Sequence, residues 1–498
     1  MAPSLATLIF FVGAVGLFLF ARDREARTSL ALWIPVAWLA IGGSRNVSVW
    51  LGAGGPVSAD QYLEGSPLDR NLLSGLIALA VVVLMVRGRQ TLELLRKNLP
   101  LVVFFLYCAA SILWSDFPFV ALKRWMKVLG NVVMVLVILT EEDPAAAFKQ
   151  FLVWTAFILV PSSILLIKYH PELGRYYDQW EGTLYNSGVT TDKNLLGVIC
   201  LVLGFGILSR FVDTLRVPGP SARRLVAVGV VFAMDIWLLV IAHSATSLVC
   251  FLLGATLIVL FVYVGRGKSW FVHVTVASLA IVGLVAYFLP PVRAFFIESA
   301  GRDATLTGRT ELWGDVLRMD THPWFGAGFE SFFLGPRLEF LWQKYWWHPN
   351  EAHNGYLETY LTLGTIGLSL IGLLLVTGYR NAIRIYRNDP VSGSLRLAFL
   401  IIAPIYNMTE AAFKVMNPMW ILFLAAVTAL PALLPEKAAS EEPALAKNRP
   451  VSPWMDQPRS VSAGSRDFSA PPGRRAPDDR GWPRPVSVGG GGPPQKYR

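Results

Sequence analysis

Charged residues are scarce in this chain of 498 residues: they make up 16% of it, while 54% is hydrophobic. Ordinary soluble domains carry roughly a quarter charged residues, so a single aqueous globule is excluded. Cysteine is scarcer still. Cys108, Cys200 and Cys250 each lie inside an apolar run, which leaves neither a disulfide framework nor a metal-ligand spacing, and they read as small packing residues. There is no Gly-rich phosphate loop, no dinucleotide fingerprint and no internal repeat, so neither ATP nor any other cofactor is expected. The net charge of +10 comes from short basic clusters between apolar segments. No single basic and aromatic surface results, and nucleic acid is not an expected partner.

What the chain has in abundance is long apolar runs. Stretches of about 18 residues or more can cross the roughly 30 Å hydrocarbon layer as helices, the default spanning structure because they satisfy their own backbone. They recur at 4–21, 29–43, 72–86, 99–114, 119–139, 148–168, 194–211, 224–242, 246–265, 270–291, 356–377, 394–411 and 417–434. Barrel strands would alternate polar and apolar residues, and Ile77 to Val86 does not. The first run carries Arg22, Arg24 and Arg27 after it and no basic region before it, the wrong polarity for a cleaved signal. The expected fold class is therefore all-α: a polytopic bundle of 12 or 13 transmembrane helices with one large outer loop, its solvent being the lipid bilayer.

Lys and Arg collect in every second loop: Arg87, Arg89, Arg96 and Lys97; Arg210, Arg216, Arg223 and Arg224; Arg266 and Lys268; Arg380, Arg384 and Arg387. Positive loops stay cytoplasmic, which puts 44–71, 115–118, 169–193, 243–245, 292–355 and 412–416 on the other side. The chain thus divides into helices over 1–291, a large outer loop over 292–355, helices over 356–434 and a tail over 435–498. The loop keeps Arg293, Arg302, Arg309, Arg318, Arg337 and Lys344 against the positive-inside trend. Its tryptophans Trp313, Trp324, Trp342, Trp346 and Trp347 suit short amphipathic helices at the interface. The tail, rich in Pro, Gly, Ser and Arg, predicts disorder.

Three blocks in and after that loop stand out. They are Gly308-Arg309-Thr310-Glu311-Leu312-Trp313, Pro323-Trp324-Phe325-Gly326-Ala327-Gly328, and His348-Pro349-Asn350-Glu351-Ala352-His353-Asn354-Gly355-Tyr356-Leu357-Glu358. In order and spacing they resemble the O-antigen ligase and Wzy-type polymerase superfamily. Glu64-Gly65-Ser66-Pro67-Leu68-Asp69-Arg70 and Gly188 to Gly197 resemble its ExoQ-type exopolysaccharide polymerase branch, with Lys193 where many ligases carry arginine. A lysine there meets phosphate as a point charge and not as a bidentate fork. The resemblance implies a metal-independent, inverting glycosyltransferase of the bacterial inner membrane, working on its periplasmic face. Its donor would be a glycan on undecaprenyl pyrophosphate and its acceptor a sugar hydroxyl. A polysaccharide chain-length regulator is a further partner the reading allows.

That chemistry needs cations around a departing pyrophosphate and a base for a weakly nucleophilic hydroxyl. Arg309 is the first candidate for the cation, with Arg302 and Lys193 next. His353 is the candidate base, kept neutral if Asn350 caps the helix that contains it. Arg124, Lys127 and His348 are further candidates for substrate contact. Competing readings stay open: Arg309 pairing with Glu311 or lipid headgroups, His348 as an interfacial residue, and Arg124 and Lys127 either snorkelling or facing a polar cavity. His243 and His273 read as structural. Ligation of a finished glycan and lipid-linked oligosaccharide flipping are the rival functions.

Overall fold

The computed structural model describes residues 2–21, 28–52, 65–178, 182–216, 219, 221–289 and 309–430. In chain order the helices are α1 (Pro3–Phe20), α2 (Trp33–Gly42), α3 (Val47–Trp50), α4 (Pro67–Val86), α5 (Gly88–Lys97), α6 (Leu99–Ala110), α7 (Pro118–Leu139) and α8 (Pro144–Tyr169). There follow α9 (Lys193–Arg216), α10 (Ala222–Ile241), α11 (Ala245–Leu260), α12 (Ser269–Phe288), α13 (Arg309–Arg318), α14 (Gly335–Lys344), α15 (Gly355–Asn388), α16 (Pro390–Tyr406) and α17 (Pro418–Val427). A two-stranded antiparallel hairpin, β1 (Arg175–Tyr177) with β2 (Leu184–Asn186), sets Tyr176 opposite Tyr185.

Several helices start at a polar residue followed by proline. Ser66, Asp143, Asp389 and Asn417 each accept a backbone N–H of the first turn, and the next residue is Pro67, Pro144, Pro390 or Pro418. The side chain satisfies a donor left free at the helix start, and proline there loses no hydrogen bond. Asp69, one turn into α4, also accepts Ser48 N at 2.9 Å and Ser48 Oγ at 2.5 Å, which fastens α3 beside α4.

Each expected apolar stretch contains a helix within its described residues, and the architecture is an all-α polytopic membrane bundle. The number of full-length spans is smaller than expected. Among the described residues seven helices are long and apolar enough to cross a membrane, or eight if α5 and the segment after it, bent by 87°, count as one. The difference lies in α7, which is long but carries Lys123, Arg124 and Lys127, and in shorter helices such as α16 and α17, which are buried almost throughout. Protein surrounds them, so they need not match the bilayer thickness. α9 is the hub of the bundle, packing on α8, α10, α11 and α16. Fully buried Arg396 of α16 donates to the Ala425 and Thr428 carbonyls at 2.7 and 2.9 Å, closing the end of α17.

The loops sort by end. Arg87 pairs with Glu141 at 2.7 Å and Lys149 with Asp213 at 2.8 Å at one end of the bundle. At the other, Arg45 N donates to Val189 O at 3.0 Å, Ser115 Oγ meets Ser331 Oγ at 2.7 Å, Arg337 pairs with Asp116 at 2.8 Å and Gly355 N donates to Asn407 O at 2.9 Å. These are the two sets of loops that the basic clusters separate.

α15 is broken at Gly364, whose φ of 67° lies in the left-handed region. A break inside a span frees backbone groups that lipid cannot satisfy. The Pro323–Gly328 turn answers it: Thr365 N donates to Pro323 O at 3.0 Å and Ala327 N to Leu361 O at 2.9 Å. Around that turn the outer segment builds its own core from Leu312, Val316, Phe332, Phe333, Leu338 and Leu341. Trp313, Trp342 and Trp347 pack against this core, while Trp324 and Trp346 are exposed. The amphipathic helices α13 and α14 thus turn their apolar faces mainly to protein. The tail over 435–498 and residues 292–308, Arg302 among them, lie outside the described residues.

Candidate active site

Four loops at one end surround a cavity of about 790 Å³. Its walls come from residues around 42–49, the hairpin and start of α9 (176–198), the segment before α15 (347–353) and the connection from α16 to α17 (406–418). Each wall is held by a local device. Asp192 Oδ1 accepts Asn194 N and Leu195 N at 2.9 and 3.0 Å and so starts α9 with Lys193 facing the cavity. The Lys193 ammonium lies 3.5 Å from the centre of the Tyr185 ring, and its backbone N–H reaches the Tyr176 hydroxyl at 3.2 Å. Burial pushes that hydroxyl up to about 12. Asn407 Oδ1 accepts Ala412 N and Phe413 N, both at 3.0 Å, and so shapes the loop bearing Glu410 and Lys414.

His353 sits just outside the start of α15 in a left-handed conformation, φ 51°, which costs an L-residue about 1–2 kcal/mol. Its neighbour Ala352 is tied on both sides: its N–H donates to Glu358 Oε1 at 2.7 Å and its carbonyl accepts Trp313 Nε1 at 2.7 Å. Two carboxylates flank the ring. Nδ1 lies 2.7 Å from Glu351 Oε1, off the line of a good hydrogen bond, and 3.6 Å from Glu410 Oε2. On the far side of each carboxylate stands a cation. Lys414 Nζ contacts Glu351 Oε2, and also lies 3.6 Å from Glu358. Arg309 Nη2 is 3.4 Å from Glu410 Oε1, while Nη1 donates to the Thr409 carbonyl. The result is a chain of alternating charge, Arg309, Glu410, His353, Glu351 and Lys414, with Glu358 beyond it.

These neighbours decide the protonation of His353. Burial by itself would depress the ring's pKa, but the carboxylates, Glu351 first and Glu410 after it, outweigh burial and lift it to about 9. Burial likewise works against ionised Glu351 and Glu410. Lys414 and the His353 ring nevertheless hold Glu351 well below the usual carboxylate range, and His353 with Arg309 lowers Glu410. The resting ring is an imidazolium at neutral pH. The expectation of a neutral ring under an Asn350 cap is corrected: α15 begins at Gly355, so the cap is Asn354, which accepts Tyr356 N and Leu357 N at 3.1 Å.

Of the candidates from the sequence, Lys193 and His353 line this cavity, and Arg309 stands behind its wall, paired with Glu410. Arg309 pairs with Glu410 and not with Glu311. Arg124 instead donates to Glu330 O at 2.6 Å and lines a separate cavity of about 60 Å³, which Glu358 and Lys414 also border. Lys127, on the same helix, lines neither. His348, which is exposed, stacks on Trp342 with ring centres 5.0 Å apart and does not line the cavity. Glu410 and Lys414 carried no local signal in the sequence, lying far from any block; Glu351 lay inside one but had no assigned role. Among the described residues no group of three or more His, Cys, Asp or Glu side chains is arranged to hold a metal ion.

Residues 227–372 match the family Wzy_C, O-antigen ligase. That stretch includes Arg309 and His353, while Lys193, Glu410 and Lys414 lie outside it. The chain is also 26% identical over 285 residues to the exopolysaccharide production protein ExoQ of Rhizobium meliloti (strain 1021), covering 55% of this chain and 63% of that relative. By this domain match and this similarity, the chain resembles the O-antigen ligase and ExoQ-type family of membrane proteins.

Proposed function

We propose that this chain is a membrane glycosyltransferase that polymerises lipid-linked oligosaccharide repeat units into exopolysaccharide or O-antigen, with undecaprenyl pyrophosphate as leaving group. The observation that carries the reading is the convergence of Lys193, Lys414, His353 and, through Glu410, Arg309 on one cavity at one end of a membrane bundle. Tyr176, Tyr177, Trp347 and Tyr406 line the same cavity, and flat aromatic faces beside carboxylates and amides suit a polyol.

In the proposed reaction the acceptor oxygen attacks the anomeric carbon as the bond from that carbon to the phosphate oxygen breaks, inverting the centre. The electron pair leaves with the pyrophosphate, whose growing charge Arg309, Lys193 and Lys414 stabilise. The hydroxyl proton passes to the free nitrogen of His353 in its neutral form. The flanking carboxylates make that form rare at neutral pH and strongly basic when present, so turnover should rise with pH. The cations are side chains, and chelators should leave transfer unchanged.

A second reading, ligation of a finished glycan to lipid A core or another acceptor, is favoured by the O-antigen ligase description of the matched family. Purified protein given a lipid-linked repeat unit separates them by product size. A ladder supports polymerisation and a single addition supports ligation. Movement of the lipid with no new bond would overturn both in favour of a flippase.

A further inference from the structure

Two of the basic clusters that read from the sequence as orienting signals meet in space. Lys97, at the end of α5, and Arg380 and Arg384, one turn apart on α15, line a cavity of about 160 Å³. Arg380 lies 25 residues along α15 from its start at Gly355, and at 1.5 Å per residue the cavity is on the order of 35 Å from the start of that helix, beside His353, despite the break at Gly364. It is therefore at the opposite end of the bundle from the candidate active site.

We infer that this cavity binds the phosphate of an anionic membrane phospholipid. Among the described residues no acidic side chain lines it. Lys97 is paired with Glu93 at 2.6 Å, whereas among the described residues Arg380 and Arg384, which both line the cavity, make no ion pair. A guanidinium fork suits phosphate oxygens, which it can meet with two parallel hydrogen bonds.

The polar floor is already rigid. Asn98 donates to Leu94 O at 2.8 Å and accepts Ala429 N at 2.7 Å, and Asn381 donates to Val427 O at 3.1 Å. Leu101 and Leu374, both buried in the helix core, close its apolar side.

The depth of the cavity is independently marked. α5 meets the helix that follows it at 87° and is amphipathic, with Leu94 buried while Arg89 and Arg96 are exposed. Such a helix lies in the plane of the interface, at the level of lipid headgroups. Arginines that only orient the chain need water around them. They do not need to share a walled cavity with a lysine from a distant segment.

The test is native mass spectrometry of the full-length protein in neutral detergent, titrated with phosphatidylglycerol or phosphatidylcholine. The variants are R380Q/R384Q and a control pair, R223Q/K268Q, which removes the same charge from other exposed positions. The expected result is one tightly held phosphatidylglycerol on the wild type and on the control. Binding should be weakened about tenfold or more in R380Q/R384Q and partly restored in R380K/R384K, with unchanged thermal unfolding in neutral detergent. Equal loss in both glutamine pairs, equal retention of phosphatidylcholine, or displacement by millimolar inorganic phosphate would each overturn the inference.

Discussion

Glu351→Gln offers the sharpest perturbation of the candidate site, because it keeps the shape of a partly buried side chain and removes the strongest force raising the His353 pKa. The ring stands at about 9 in place of 6.5, a preference for the imidazolium of about 3 kcal/mol. About one ring in a hundred is then neutral at pH 7. If the neutral ring takes the acceptor proton, single-turnover transfer by the wild type should climb about tenfold per pH unit from pH 6 to 8 and level off near 9. In Glu351→Gln only Glu410 still opposes burial, so the midpoint should fall by about two pH units and the slope between 7 and 9 should disappear. Lys414 retains Glu358 at 3.6 Å and is not left alone. Stability supplies a second readout with a definite sign. The folded-state pKa is above the unfolded one, so the stabilisation is complete below about 6.5 and is lost as pH rises through about 9. Wild-type Tm should therefore drop over that window more than the variant's does. A wild-type rate that is flat from pH 6 to 9, or a midpoint that Glu351→Gln does not move, would refute the assignment of His353 as base.

Replacing His353 with Gln should lower turnover by about 10²–10⁴ with donor binding nearly unchanged, since a base acts in the transition state; near-normal turnover removes it from the mechanism. Arg309→Lys keeps charge but not the fork that spans Thr409 and Glu410, and should weaken both donor binding and turnover, less severely than Arg309→Ala. Gly355→Ala would drive a methyl group into the Asn407 side chain, which shapes the loop of Glu410 and Lys414. It should cost about 1–3 kcal/mol in denaturant melts along with activity, and an unperturbed melt would show that the loop does not depend on this contact. An impermeant thiol reagent on intact cells should label Gln343→Cys and not Arg223→Cys, and the reverse pattern would invert the orientation.

Much of the architecture was legible in the chain. Long apolar runs impose helix on any segment in lipid, because no water is there to satisfy an open backbone, and the alternation of basic loops already separated the two sets of loops found at opposite ends. The starts of α4, α8, α16 and α17 were also local information, written as a capping residue followed by proline. Span length was less legible. Hydropathy cannot distinguish burial in lipid from burial in protein, and so α16 and α17 read as full spans although neighbouring helices enclose them.

The candidate site divides along the same line. Arg309 and His353 stand in compact blocks whose spacing is visible in one dimension, so the sequence alone identified them as the pair to consider, together with Lys193 at the start of its helix. The partners that govern them were beyond its reach. Glu410 and Lys414 come from a connection about 60 residues beyond His353, and only packing of that loop against the start of α15 brings a carboxylate and an ammonium to the cluster. The charge state of the ring followed the same rule. Sequence order suggested a helix end that would keep the ring neutral, whereas the tertiary structure set it between two carboxylates. A proton's affinity answers to charges a few ångströms away, whatever their distance along the chain.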